Sequence, residues 1–394
     1  MSDLSVSESK RLVMALAAAG ARMAIVSSGG GAEAISRLVS TPGASEVVLE
    51  GLVPYARAAV DGLLGGRQDS YCSARTSRRL AVAAWERACR LQQAAGVEPA
   101  EARRRAVGAA VTAGLRTARP RRGEHRVIVA VQTRGATRVA DVVLEKEARS
   151  RSDEEQVAAA LLLGEIAAAC QATGIVADPP LRAGEAIRRD VFEPPESWRE
   201  LFCGTPQTAA VAAAGQPPAA AGGLVFPGSF DPLHEGHLLM ARIAEEIAER
   251  PLAYEISIAN VDKPTLDYVE LRDRAAQFTD RPLWFTRAAT FAEKLAIFPK
   301  STFVMGADTF ARLPDPKYYG GSRGAATRAV KAIAAKAAGL IVFGRARDGV
   351  FEEAAGIAVP EALRNVAYFV SQREFRLDLS STQLRRQAAL GSEA

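Results

Sequence analysis

The chain of 394 residues has little of what marks the special protein classes. It has four cysteines, Cys72, Cys89, Cys170 and Cys203, with no Cys-x-x-Cys pair and none next to a histidine. Neither a zinc site nor a disulfide framework is expected, and a reducing, cytoplasmic compartment is the simplest setting. No run of eighteen apolar residues occurs; the most apolar stretch, 157–170, is short and carries Glu165, which fits a buried helix and not a membrane span. The N-terminus lacks a basic start followed by an apolar block, so no secretory leader is expected. No charge sign dominates: 50 basic against 45 acidic residues leave a net +5, which suits small anionic substrates without requiring nucleic acid. The arginines of 103–105 are read as a solvated helix face and those of 119–123, broken by Pro120, as a solvated turn. No aromatics interleave with them, as a single-stranded nucleic-acid surface would need.

What is present is an ordinary globular composition, 48% hydrophobic and 24% charged, in a chain long enough for two or three domains. Residues 204–223 are an Ala-, Pro- and Gly-rich tract of low complexity. It is read as a linker over 204–222 between a domain at 1–200 and another at 223–394. In the first, periodicity predicts helices at 8–19, 32–38, 77–95 and 154–171 and strands at 23–26 and 127–132, with a Gly-rich turn at 27–31. In the second, strands are predicted at 224–226, 254–258, 284–286, 302–305, 339–343 and 366–370. Helices are predicted at 237–248, at 271–278 and from about 382. The fold class is therefore α/β in both parts. The regular alternation of the second predicts a doubly wound parallel sheet with ligands at the carboxyl ends of its strands.

The sharpest motif is Pro227-Gly-Ser-Phe-Asp-Pro-Leu-His-Glu-Gly-His237, between a predicted strand and a predicted helix. Histidine is scarce here, three in all, and two of them are His234 and His237. Spaced by three at a helix start, they can share a face. Gly228 permits a tight turn or the close approach of a ligand, and Gly236 leaves room against the backbone. A helix N-terminus favours phosphate, and two imidazoles there can hold a triphosphate and stabilise charge developing on its α-phosphate.

This string resembles the signature of the HxGH nucleotidylyltransferase superfamily, over most of 223–390. The resemblance implies a Rossmann-like fold and transfer of a nucleotidyl group from a nucleoside triphosphate to a phosphate-bearing acceptor, with release of pyrophosphate. Leu379-Ser-Ser-Thr-Gln-Leu-Arg385 resembles the family's C-terminal element. Ser381 and Thr382 there resemble a helix cap that offers donors to a phosphate, and Arg385 one turn inside can grip the same anion. Phe303-Val-Met-Gly-Ala-Asp-Thr309 resembles the Gly-Ala-Asp element of nicotinate and nicotinamide mononucleotide adenylyltransferases. By that likeness Gly306 allows the nucleotide to approach and Asp308 accepts hydrogen bonds from it. Gly228, Ser229 and Phe230 complete the expected ATP-binding set with His234, His237 and Arg385. Lys263 and Arg345, each following a predicted strand, are expected on the acceptor. The expected reaction is in-line attack by the acceptor phosphate on the α-phosphorus of ATP, without a covalent enzyme intermediate. Magnesium is expected to arrive with ATP, without dedicated protein ligands.

Met23-Ala-Ile-Val-Ser-Ser-Gly-Gly-Gly31, with Tyr55 further on, resembles the competence-damage-inducible (CinA) C-terminal domain, which includes nicotinamide mononucleotide amidohydrolases. The resemblance implies a CinA-like α/β domain, with Ser28 at the nucleophile position and Tyr55 at the family's tyrosine. Ser27 stands where the family has Glu, and Val60 where it has Lys. Without that lysine Ser28 lacks its evident activator, so the domain is expected to be a vestigial hydrolase that serves packing or homo-oligomerisation. The whole is read as an adenylyltransferase joining ATP to nicotinamide or nicotinate mononucleotide. The alternatives are a cytidylyl- or adenylyltransferase for another phosphorylated acceptor, and a nucleotide-binding regulatory protein. Neither nucleic acid nor a membrane is an expected partner.

Overall fold

A computed structural model of the chain describes residues 3–118, 122–204, 206–211, 222–259, 264–279, 281–347, 350–352 and 359–371. They divide into two compact units: Met1–Thr205 with Asp262–Glu270, and Pro206–Val261 with Leu271–Ala394. No helix among the described residues is long and apolar enough to cross a membrane.

The first unit runs α1 (Asp3–Ala18), β1 (Arg22–Ser28), α2 (Ala32–Val39), β2 (Val48–Leu52), α3 (Arg57–Leu64), α4 (Ala74–Ala94), α5 (Pro99–Arg105) and β3 (Ala106–Gly114). It continues with β4 (His125–Gln132), β5 (Thr137–Leu144), α6 (Arg151–Ala169), β6 (Arg188–Phe192) and α7 (Glu196–Cys203). Its sheet has the order β2-β1-β3-β4-β5-β6. β1 is parallel to β2 and β3, and the rest is antiparallel. Alternation sorts the side chains of β1 and β3 onto two faces. Met23, Ile25, Val107, Ala109 and Val111 join Leu12, Leu16, Leu38 and the Leu161–Leu163 stretch of α6 in one apolar core. The other face carries Gly108, where an added Cβ would lie 2.0 Å from the Ala81 carbonyl oxygen, so α4 packs directly on the strand backbone. α6 starts where Ser150 and Asp153 cap each other's backbone N–H groups, both at 3.1 Å.

Residues 264–270 belong to this first unit, although the sequence placed everything after 223 in the second domain. Thr265 donates its N–H and its hydroxyl to the Glu86 carboxylate at 3.0 and 2.6 Å, and Arg78 pairs with buried Asp267 at 3.1 Å. The Tyr268 ring lies 4.7 Å from Phe202, which lies 4.4 Å from Trp85. Hydropathy shows that Tyr268 wants burial; it does not show in which core. Two of the arginines of 103–105 are also less solvated than expected, while Arg104 is exposed. Arg103 donates to the Cys203 carbonyl and Arg105 to that of Gly20, both at 3.2 Å. Of the other arginine cluster, 119–121 lie outside the described residues.

The second unit runs β7 (Thr208–Val211), β8 (Leu224–Pro227), α8 (Glu235–Ala248), β9 (Leu252–Ser257), α9 (Tyr268–Ala275, whose first residues lie in the first unit), β10 (Leu283–Thr286) and α10 (Phe291–Ile297). It continues with β11 (Thr302–Gly306), α11 (Ala307–Arg312), α12 (Arg323–Lys336), β12 (Gly339–Phe343), β13 (Arg345–Arg347), β14 (Val350–Glu352) and β15 (Ala367–Val370). The sheet order is β15-β12-β11-β8-β9-β10-β7. Six strands are parallel, and counted along the chain they lie 6-5-4-1-2-3, the doubly wound Rossmann arrangement. β7 departs from the expectation: it falls inside the tract read as linker and pairs antiparallel with β10 along the edge. Thr208-Ala-Ala-Val211 is short and small, so it reads as linker by composition, yet it suits a free sheet edge. Val225, Phe303, Met305, Leu340 and Val342 pack with α10, α11 and α12 in a core on one face of the sheet.

Candidate functional site

The reversal of strand order lies between β8 and β11. Their pairing is brief, Thr302 with Leu224 and Phe303 with Val225. By contrast β11 stays paired with β12 through Gly306, and β8 with β9 through Pro227. The sheet therefore parts at the carboxyl ends of β8 and β11. The two segments that follow are the histidine loop, 228–237, and Gly306-Ala-Asp308, distant in sequence and brought to the same edge.

His234 is extended, with φ −145°, and α8 begins at the next residue. The His234 and His237 rings are stacked, 3.7 Å between centroids and 24° between planes. The His237 Nδ1 accepts the backbone N–H of His234 at 3.3 Å. A neutral imidazole with an accepting Nδ1 carries its proton on Nε2, so His237 presents an N–H donor. Its ring stands edge-on to Phe230 at 5.0 Å, with Phe226 at 6.0 Å. Burial, reinforced by His234, pushes its pKa down to about 3, so near pH 7 this group works as a neutral donor and not as a cation.

Two of the residues expected at the nucleotide, Phe230 and Gly228, also have packing roles. Phe230 is fully buried and packs on Phe226, Tyr254 and Phe278; its side chain is core, and its backbone has φ 43°. Gly228 is demanded by that ring: an added Cβ would meet the Phe230 Cζ at 2.5 Å. Its backbone is not left-handed, so neither a tight turn nor a ligand is needed to account for the glycine. Gly236, expected to leave room beside a ligand, is buried. Ser229 is exposed. Gly306 differs from Gly228, since nothing lies within 4 Å of an added Cβ and packing does not require the glycine. Asp308 is in the first turn of α11 and half-buried. Arg345 opens β13, and its side chain is not described. Lys263, Ser381, Thr382 and Arg385 lie outside the described residues.

The sequence reading missed the supports of this loop. Arg274, nearly buried, donates to the Ser229 carbonyl at 2.8 Å, and Gln277 accepts the Leu233 N–H at 2.7 Å. The buried Glu255 carboxylate is held by Lys294 Nζ at 2.7 and 2.8 Å and by the Thr286 hydroxyl, while its carbonyl accepts the Gly228 N–H at 2.9 Å. Lys294 also donates to the Ala288 carbonyl at 2.9 Å, so the pair is internally satisfied and fastens β9 and β10 beneath the loop. A charged residue within a strand or helix pattern reads as solvent-facing, so no signal in the sequence marked these.

In the first unit Ser28 sits at the end of β1, and its hydroxyl donates to the Pro54 carbonyl at 3.0 Å. Tyr55 is three-quarters exposed. The α2 N-terminus is already occupied: the Glu33 N–H donates to the Glu155 carboxylate at 3.2 Å, and Arg151 donates to the Gly29 carbonyl at 3.0 Å. Among the described residues no group of three or more His, Cys, Asp or Glu is placed to hold a metal ion.

The family model described as Cytidylyltransferase-like matches residues 225–387. The C-terminal half thus carries a cytidylyltransferase-like domain of the HxGH superfamily, which supports nucleotidyl transfer as its chemistry. A search of curated proteins returned no match. Among solved structures the chain is similar to a competence-damaged protein (CinA) superfamily protein from Escherichia coli, at 18% identity and a TM-score of 0.33 over 42% of this chain and 91% of that one. It is also similar to a competence or damage-inducible protein from Enterobacter asburiae, at 20% identity and a TM-score of 0.33 over 42% and 98%. A third is a competence/damage inducible protein from Agrobacterium tumefaciens, at 19% identity and a TM-score of 0.35 over 43% and 98%.

Proposed function

We propose that the second unit transfers AMP from ATP to nicotinamide or nicotinate mononucleotide and releases pyrophosphate. The observation that carries the reading is the stacked His234–His237 pair at the start of α8, beside the parting of β8 and β11. A triphosphate seated there meets the N-terminus of a fourteen-residue helix and the Nε2–H of a neutral imidazole. The acceptor phosphate oxygen attacks the α-phosphorus in line, and the bond to the bridging oxygen of pyrophosphate breaks. A fixed neutral donor stabilises the developing charge without taking or giving a proton, so the work is orientation and electrostatic stabilisation. Magnesium enters as part of the MgATP substrate. The acceptor assignment rests on Gly306-Ala-Asp308 following β11, where an uncrowded glycine leaves the backbone open to a nucleotide. Ser381, Thr382 and Arg385 are proposed to grip the triphosphate, and Lys263 and Arg345 the acceptor, on the family resemblance alone. The first unit is proposed to have no amide hydrolysis of its own, since the Ser28 hydroxyl is engaged by a carbonyl.

The matched family description favours one second reading, with CTP in place of ATP. The test is pyrophosphate release from purified protein with magnesium, either ATP or CTP, and a panel of phosphorylated acceptors. The leading reading expects NAD or its acid form from ATP and the matching mononucleotide. Turnover with CTP alone favours the second reading, and binding without turnover favours a regulatory protein.

A further inference from the structure

The histidine loop between β8 and α8 is held by two side chains from one turn at the end of α9. Arg274 Nη1 donates to the Ser229 carbonyl at 2.8 Å, and its Nη2 lies 3.7 Å from the Asp231 carboxylate. Three residues on, Gln277 donates to the Phe230 carbonyl at 3.1 Å and accepts the Leu233 N–H at 2.7 Å. The Arg274 side chain is nine-tenths buried, so its charge is committed to these contacts and not to solvent. The contacts also set directions. In a trans peptide the C=O and the following N–H point opposite ways. Drawing the Ser229 and Phe230 carbonyls towards α9 turns the N–H groups of Phe230 and Asp231 away from it. Phe230 holds a positive φ of 43°, a conformation of the kind that anion-binding nests use.

We infer that Arg274 and Gln277 are positioning residues for nucleotide transfer: they orient the backbone from Ser229 to Leu233 towards the triphosphate and place the stacked imidazoles at the start of α8. The inference rests on the transferase reading above. Neither side chain is assigned a contact with the reacting atoms.

The test uses the full chain and the variants Arg274→Met, Arg274→Lys and Gln277→Leu. The chain's three histidines make a label-resolved imidazole spectrum readable, with His125 as an internal control in the first unit. Arg274→Met is expected to shift the His234 and His237 signals and leave His125 in place. It is also expected to weaken calorimetric MgATP binding about tenfold and lower kcat at least tenfold, with the acceptor KM unchanged; Arg274→Lys is expected to recover part of each loss. Gln277→Leu is expected to act in the same direction with smaller size, and it decides the matter if Arg274→Met does not fold. Unmoved histidine signals together with wild-type ATP affinity would overturn the inference, as would a fall in activity accounted for by the folded fraction alone. If the wild-type chain binds MgATP and transfers nothing, the transferase reading fails while ATP affinity still judges these two residues. If it binds no MgATP, both fail.

Discussion

The molecule contains the same local grammar twice, and the two copies end differently. In the first unit β1 runs through Ser28-Gly29-Gly30-Gly31 into α2; in the second β8 runs through the histidine loop into α8. The first turn is filled by the protein itself. An added Cβ on Gly29 would lie 2.1 Å from the Ala113 carbonyl oxygen, and Gly31 is backed by Val111 at 2.7 Å. The Glu155 carboxylate already accepts from the first turn of α2, in the place an anionic ligand would take. The second turn is braced from behind, by the Phe230 ring, Arg274 and Gln277, and two imidazoles stand where the sheet parts. A glycine-bearing strand-to-helix turn is therefore not by itself an anion site; what occupies the helix start decides.

The largest effect is expected where the filled turn is disturbed. Gly29→Ala strains a residue at φ 79° and drives a methyl into backbone, so a destabilisation of at least about 3 kcal/mol is expected. Hydrogen exchange of the β1 and β3 amides should report it; unchanged protection there would show that the turn is not packed as described. His237→Ala removes the neutral donor and should lower kcat for pyrophosphate release by about 100-fold, near 2.7 kcal/mol, with the fold retained. Residual activity within threefold of wild type would remove His237 from the chemistry.

The half-buried imidazole of His237 also predicts a pH effect. With a folded pKa of about 3 against the ordinary value of 6.5, the unfolded chain binds a proton that the folded chain refuses anywhere between those values. Stability contributed at this position is complete above pH 6.5 and declines as pH falls towards 3, at up to about 1.4 kcal/mol per unit. Denaturant titrations at pH 7 and 5 should show His237→Asn losing about 2 kcal/mol less than wild type over that interval. Equal losses would place the wild-type ring in solvent. Gly306→Ala is the sharper probe of the open side: it should leave stability within about 0.5 kcal/mol and raise the KM for ATP about tenfold. An unchanged KM would mean that no nucleotide lies against that backbone. The smallest expected effect is that of Ser28→Ala, which should alter neither transfer nor amide release from nicotinamide mononucleotide. A measurable hydrolysis lost in that variant would restore the first unit as an enzyme.

Legibility tracked the range of the interaction. Helices such as α4 and α6, and strands such as β1, β4 and β8, were readable because periodicity and capping act within a few residues. The histidine string was readable because its spacing and its strand–loop–helix setting are local too. The burial of the Phe230 side chain is not legible there, since a single aromatic in a motif does not reveal that Tyr254 and Phe278 enclose it. A packing reason for Gly228 lies two residues away in sequence, in a ring folded back over it, which the motif does not show. β7 hid in the Ala-rich tract, because an edge strand needs a partner and not a strong propensity.

By itself the sequence determined two α/β halves, the chemistry-bearing string and the scarcity of histidine that made the pair at 234 and 237 conspicuous. Tertiary structure alone decided that β8 and β11 stand side by side and part early, that 264–270 belong to the first unit, and that Arg274 and Gln277 stand behind the loop. Secondary structure follows from contacts a few residues apart. Strand order, burial of charge and ring tautomer depend on which distant groups meet, and that is settled only when the chain packs.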